Sequence, residues 1–186
     1  MTSRLIVSFS LRTIAFAVVL GAIMPVATLS AQRLPDMETR NVAGDQGTLH
    51  DFLDSSGETL VALSMARDQE TGEEQIETLL STHRALDGEP GFPSDGVLHI
   101  SVITGAPWFV HGVIRRGLAS EYGPAVEDNQ IIVLFIDDLD DFSDRVEIPV
   151  TRHPSWLSVS PEGHVNWWER DRGQGIASSL LQKLDW

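Results

Sequence analysis

The side chains that could carry out chemistry are spread along this chain and match no known catalytic motif. The 186 residues include no cysteine, which excludes disulfide exchange, thiol nucleophiles and cysteine-ligated metal centres. The six histidines lack H-x-x-x-H or H-E-x-x-H spacing, and the G-x-S-x-G motif of many serine hydrolases does not occur. The sequence therefore supplies no complete catalytic set, and we predict neither a cofactor nor a metal site.

Two further patterns could bind ions, but simpler interpretations are available. Five aspartates lie between Asp137 and Asp144, and such oxygen ligands suit calcium. Because the glycine and distal glutamate of an EF-hand loop are missing, we interpret this run as a solvated connector. Gly173-Gln174-Gly175 could cradle an anion at a helix start, and we interpret it as a turn.

The N-terminus has the pattern of an export signal. Arg4 and Arg12 come before or at the start of an uncharged stretch, Thr13 to Ala31, which predicts a signal peptide over residues 1–31. An uncleaved anchor is the alternative, because the stretch approaches the ~20 residues of a membrane-spanning helix. We predict cleavage, no stable membrane insertion after it, and a periplasmic or extracellular location.

The predicted mature chain, residues 32–186, is one strongly acidic domain. It holds 27 acidic side chains and 11 of the 13 Lys and Arg, a formal net charge of −16. This charge disfavours nucleic acid, whose phosphates need cations, and anionic membrane surfaces. It suits solubility, and it would also suit a basic partner.

Hydrophobic patterns predict an α/β fold. Apolar runs favour strands, and apolar residues at helical spacing favour helices. The predicted order is strand Thr59–Ser64, helix Glu73–Leu86, strand Val97–Ile103, helix Trp108–Tyr122, strand Ile131–Ile136, hairpin strands Ser155–Val159 and His164–Glu169, and closing helix Gly175–Leu184. Crossover connections followed by a hairpin give a mixed sheet flanked by helices in three layers. On the second helix, Phe109, Val113 and Leu118 are predicted to be buried.

Four local motifs, in this order, resemble the thioredoxin-like superfamily, especially its exported thiol–disulfide interchange proteins and peroxiredoxins. They are Leu34–Met37, Gly47–Phe52, His153–Leu157 and Val159–Val165. The likeness covers nearly all of the predicted mature chain. It implies a thioredoxin-like fold, which agrees with the predicted element order.

The resemblance also shows where this chain departs from the superfamily. The redox cysteines of the superfamily follow the first core strand, where this chain has Met65 to Gly72. Gln69 and Gly72 stand near the cysteine positions, so the redox activity is not carried over. Pro154 matches a proline whose preceding peptide bond is usually cis in the superfamily, and whether it is cis here stays open on the sequence.

Two functions stay open on these observations. The first is a non-redox binding or assembly module of chaperone type, which holds a protein or peptide partner near Pro154. The alternative is an enzyme of non-thiol chemistry that uses polar residues at the former redox site. We favour the first. The predicted partner-binding surface consists of Met65, Arg67, Asp68, His153, Pro154 and Trp156.

Overall fold

A computed structural model describes residues 32–173 and 175–184. Over these residues the chain forms seven strands and four α-helices, besides short 3-10 turns. Their bounds are β1 Glu38–Arg40, β2 Gln46–Thr48, β3 Thr59–Met65, α1 Gln69–Leu86, β4 Val97–Thr104, α2 His111–Tyr122, β5 Ile131–Ile136, α3 Leu139–Val146, β6 Ser155–Val159, β7 Val165–Arg170 and α4 Ile176–Leu184. None of the described helices is both long and apolar enough to span a bilayer.

Five strands form the predicted mixed sheet, in the order β5-β4-β3-β6-β7. The pairs β3–β4 and β4–β5 are parallel, whereas β3–β6 and β6–β7 are antiparallel. The central strand β3 is buried along its whole length, as expected for a strand covered on both faces. A separate hairpin of β1 and β2 comes first in the described chain.

The sheet lies between two layers of other elements, which confirms the α/β prediction. Alternate residues of β3 face opposite sides: Val61 and Leu63 pack with α3 and the N-terminal segment, whereas Leu60 and Ala62 pack with α1 and α4. A third cluster joins α1 and α2 over β5. The helices α1, α2 and α4 therefore share one face of the sheet.

Capping residues explain two differences from the sequence prediction. Helix α1 begins at Gln69, four residues before the predicted start, because Asp68 accepts a hydrogen bond from the Thr71 amide at 2.8 Å. Most of the aspartate run belongs to α3, so it is not only a connector. Asp138 caps that helix by accepting from the amides of Asp140 and Asp141.

The predicted burial along the second helix is wrong for two of three residues. Phe109 and Val113 are 66% and 59% exposed, whereas Leu118 is buried. Trp108 to Val110 form a 3-10 turn, and α2 starts only at His111. Helical spacing counted from Trp108 therefore assigns the buried side to the wrong face of the helix.

Candidate functional site

The polar residues predicted at the former redox loop have structural partners. Arg67 donates to the carboxylate of Asp140 on α3, with Nη1 3.2 Å from Oδ2 and a second contact from Nη2 to Oδ1. This contact raises the pKa of Arg67 and lowers that of Asp140. Asp68 caps α1, and its hydrogen bonds from the backbone and hydroxyl of Thr71 lower its pKa. Both side chains are exposed.

Two members of the predicted surface are in the core instead. Met65 is 4% exposed and Trp156 is 0% exposed. Met65 ends the central strand β3, and Trp156 pairs with Ala62 across the β3–β6 ladder. Both side chains therefore lie in the core, where other elements cover the sheet. The prediction that they face a partner is wrong.

The segment before β6 also differs from the prediction. Pro154 is buried, and no peptide bond among the described residues is cis. The Pro154 carbonyl accepts a hydrogen bond from the Asp171 amide at 2.8 Å. His153 is half-buried, and its amide donates to the Thr151 hydroxyl at 3.2 Å. The trans form is also the lower in energy for ordinary X–Pro bonds.

A buried glutamine joins the end of β3 to the chain just before His153. Gln75 of α1 accepts from the Met65 amide at 2.8 Å and donates to the carbonyls of Met65 and Thr151 at 3.0 and 2.7 Å. Gln75 therefore occupies the position between the end of β3 and the chain just before His153. Sequence reasoning missed Gln75 because it lies among polar residues on an acidic helix.

A buried carboxylate anchors Trp156. Asp171 is 0% exposed, and its Oδ2 accepts from Trp156 Nε1 at 2.9 Å and from the Thr82 hydroxyl at 2.6 Å. Its Oδ1 accepts from the Gly173 amide at 2.8 Å. These three donors satisfy the charged group, so its role is to fix β6, α1 and the turn before α4.

Two histidines share a hydrogen bond in the core. His83 Nδ1 lies 3.1 Å from His99 Nε2, and His99 Nδ1 has no protein partner among the described residues. Burial and, to a smaller extent, the neighbouring His83 lower the pKa of His99 to about 3. Burial also lowers the pKa of His83. Both imidazoles are therefore neutral at pH 7, without access to a ligand.

A concave feature with apolar walls lies beside the former redox loop. It has a volume of about 540 Å³ and lies between α1 and α2, at the carboxyl ends of β3 and β4. Ile76, Ile114 and Leu118 contribute apolar walls, and Arg67 and Asp68 lie at the loop that borders it. We call this feature the groove. His153, Pro154 and Trp156 do not line it, so the concave surface lies on the α1–α2 side of the predicted one.

A glycine opens one side of the groove. Gly117 lies on α2 and lines the groove, and a Cβ placed there would meet no atom within 4 Å. Glycine in a helix interior costs about 0.5–1 kcal/mol relative to alanine. The helix thus tolerates an unfavourable residue at a position where a side chain would occupy the groove.

Exposed apolar side chains adjoin the groove. Trp108 is 82% exposed, Phe109 66% and Val113 59%. They belong to the same turn and helix start as Val110 and Ile114, which line the groove. The two rings contact each other edge to face, with centroids 6.0 Å apart. Aromatic residues exposed together next to a concave apolar surface are typical of interaction sites.

Among the residues that the structure describes, no group of three or more His, Asp or Glu is placed to hold a metal ion. Arg67, Asp68 and His153 do not converge on a common point, because Arg67 binds Asp140 and Asp68 caps α1.

Similarity to known proteins lies in the fold. No family model matches the chain, and no curated protein matches it either. The solved structures that match include BsSco, a member of the Sco family of cytochrome c oxidase assembly proteins, with TM-score 0.57 and 12% identity over 83% of this chain and 92% of that one.

Two other solved structures show the same similarity. Copper-bound yeast Sco1 has TM-score 0.58 and 10% identity over 83% of this chain and 93% of its own. A thiol:disulfide interchange protein from Bacteroides has TM-score 0.52 and 18% identity over 84% and 90%. At these identities the likeness establishes architecture alone. With the mixed sheet order β5-β4-β3-β6-β7, it identifies the described chain as a thioredoxin-like fold without cysteine.

Proposed function

We propose that this protein is an exported, non-redox thioredoxin-like module that holds a partner protein or peptide in the groove. The observation that carries the proposal is the apolar groove between α1 and α2, bordered by the exposed Trp108, Phe109 and Val113. Apolar surfaces of this kind supply most of the free energy of association when a partner covers them.

The position of the groove supports a binding role. In open α/β sheets, ligands bind outside the carboxyl ends of the strands. The groove lies at the ends of β3 and β4, beside the loop that carries cysteines in redox members of the fold. Since this chain has no cysteine, no covalent sulfur intermediate can form there. The solved neighbours include a member of a family of assembly proteins, which is consistent with a module that acts by holding partners.

The alternative, an enzyme built on Arg67, Asp68 and His153, has less support. Each of these residues is held by local structure: Arg67 by Asp140, Asp68 by the Thr71 amide and His153 by Thr151. A catalytic set needs groups that converge on one reacting atom. Export remains part of the proposal, and it rests on the sequence pattern of residues 1–31.

Substitution of Gly117 tests the proposal. Gly117→Leu places an apolar side chain in open space within the groove, and leucine is a better helix former than glycine. Displacing one partner side chain of similar size should cost about 1.5–3 kcal/mol, or roughly tenfold or more in affinity. The assay is capture of partners from the native envelope by the purified protein.

Gly112→Leu is the matched control. Gly112 lies on α2, also with open space around its Cβ position, but it does not line the groove. The proposal predicts that Gly117→Leu loses partners that both the wild-type protein and Gly112→Leu retain. Equal capture by all three proteins would contradict it.

A further inference from the structure

The groove continues into a region of unusual negative charge. Glu73 of α1 and Glu121 of α2 line the groove and also face the adjacent channel between the two helices. The remaining polar residues of that channel are Glu70, Glu74, Glu77 and Arg84. Five carboxylates therefore face one guanidinium along the side of the groove.

Helix stability does not explain this arrangement. Only Glu70 belongs to the first turn of α1, where the helix dipole favours acids. Glu73, Glu74 and Glu77 follow at spacings of three and four residues, at which like charges destabilise a helix. Glu121 lies in the last turn of α2, where the dipole opposes a carboxylate.

Four of these five carboxylates also lack a basic partner among the described residues. Among residues 32–173 and 175–184, Glu74 is the member of this set with a cation within 4 Å, namely Arg152 at 3.6 Å. Burial raises the pKa of Glu121, and the charge of Glu73 raises it further. Glu73 accepts a hydrogen bond from Gln69 at 2.6 Å, which does not neutralise it. A cation brought to this side of the groove would relieve the repulsion between α1 and α2.

We infer that the occupant of the groove is a partner segment in which apolar side chains are accompanied by Lys or Arg, so that the apolar groups enter the groove while the cations meet Glu73 and Glu121. This inference rests on the proposed function and names the chemistry of the partner. A second copy of this chain is disfavoured, because the formal net charge of −14 would bring like charges together at the contact.

Defined peptides test the inference. The probe is a short fluorescent peptide of alternating Leu and Lys, compared with peptides in which every Lys is Gln or Glu. Fluorescence anisotropy at low salt should give the tightest binding for the Lys peptide, and that binding should weaken with added salt. Gly117→Leu should weaken the binding of the Lys peptide at least tenfold.

A charge variant and its control complete the test. The double variant Glu73→Gln/Glu121→Gln should weaken the binding of the Lys peptide about fivefold and reduce the salt dependence of that binding. Glu38→Gln/Glu89→Gln removes the same charge from two exposed residues that do not line the groove and should have little effect. Equal weakening by both double variants would overturn the inference, since the attraction would then be general.

The remaining outcomes separate the two proposals. If the Gln and Glu peptides bind as tightly as the Lys peptide, and Gly117→Leu weakens all three, the groove binds apolar segments but the charge inference is wrong. If Gly117→Leu changes the binding of no peptide, the groove is not the binding site and both proposals fail. If sedimentation shows a wild-type dimer that Gly117→Leu dissociates, the occupant is a second copy, and the inference is overturned.

Discussion

Trp156→Phe separates a core role from a binding role for the residue that the sequence placed at the surface. The change keeps an aromatic ring but removes the Nε1 donor, which lies 2.9 Å from Oδ2 of Asp171. The buried carboxylate then keeps two of its three donors, the Thr82 hydroxyl and the Gly173 amide. Losing a hydrogen bond to a buried charged group costs about 1.5–3 kcal/mol.

The smaller ring adds a packing loss. Trp156 is fully buried and contacts the rings of Phe92 and His99, each with centroids 6.4 Å away. The cavity left by the missing atoms should lower the free energy of unfolding by about 1 kcal/mol more. The free energy of unfolding should therefore fall by about 3 kcal/mol, which for a domain of this size lowers Tm by about 6–12 °C.

Thermal and urea unfolding, followed by circular dichroism, measure this loss. Trp108→Phe is the matched control, because Trp108 is 82% exposed; its free energy of unfolding should change by less than about 0.5 kcal/mol. Partner capture by Trp156→Phe, measured well below its Tm, should equal that of the wild-type protein. An unchanged Tm together with lost capture would refute the core assignment.

Two further predictions concern buried polar groups. Burial lowers the pKa of His99 to about 3, whereas the pKa of a histidine in the unfolded chain is about 6.5. The contribution of the neutral His99 to stability is therefore fully present above pH 6.5 and is lost as the pH falls toward 3. Urea unfolding should show that the wild-type protein loses about 2 kcal/mol more between pH 7 and pH 5 than His99→Phe; equal losses would contradict this. Gln75→Leu leaves the Met65 amide and the carbonyls of Met65 and Thr151 without their partner, which should lower the free energy of unfolding by about 2–4 kcal/mol. Hydrogen exchange of the Met65 amide should accelerate in this variant, and unchanged protection would show that Gln75 does not join the end of β3 to the chain just before His153.

Local patterns were sufficient to predict the elements of the sheet. The run Ile131–Ile136 is continuously apolar because both faces of the central sheet are covered, and Val97–Ile103 was likewise predicted as a strand. The turn before β7 was recognisable from Pro161-Glu162-Gly163, since Gly163 has φ +85°. A Cβ on Gly163 would lie 2.2 Å from Nε2 of His50, which reinforces the same choice of residue.

The site depended on contacts that no local pattern carries. Trp156 was predicted at the surface because it lies close to Pro154, but its partners Asp171 and Thr82, which are 89 residues apart in sequence, hold it in the core. The groove forms where α1 packs beside α2. In the sequence alone, Gly117 stands out only as a residue with low helix propensity. The approach of Glu121 to Glu73 exists only in the folded chain, so no local pattern shows that the acidic residues of α1 and α2 meet.

The affinity of one captured partner for the two glycine variants tests the central claim most directly. Isothermal titration of that partner against the wild-type protein, Gly112→Leu and Gly117→Leu compares the same substitution inside and outside the groove on one helix. The account predicts a Kd for Gly117→Leu at least about tenfold above the other two, which should agree with each other within about twofold. Equal Kd values for all three folded proteins would contradict the assignment of the groove as the binding site.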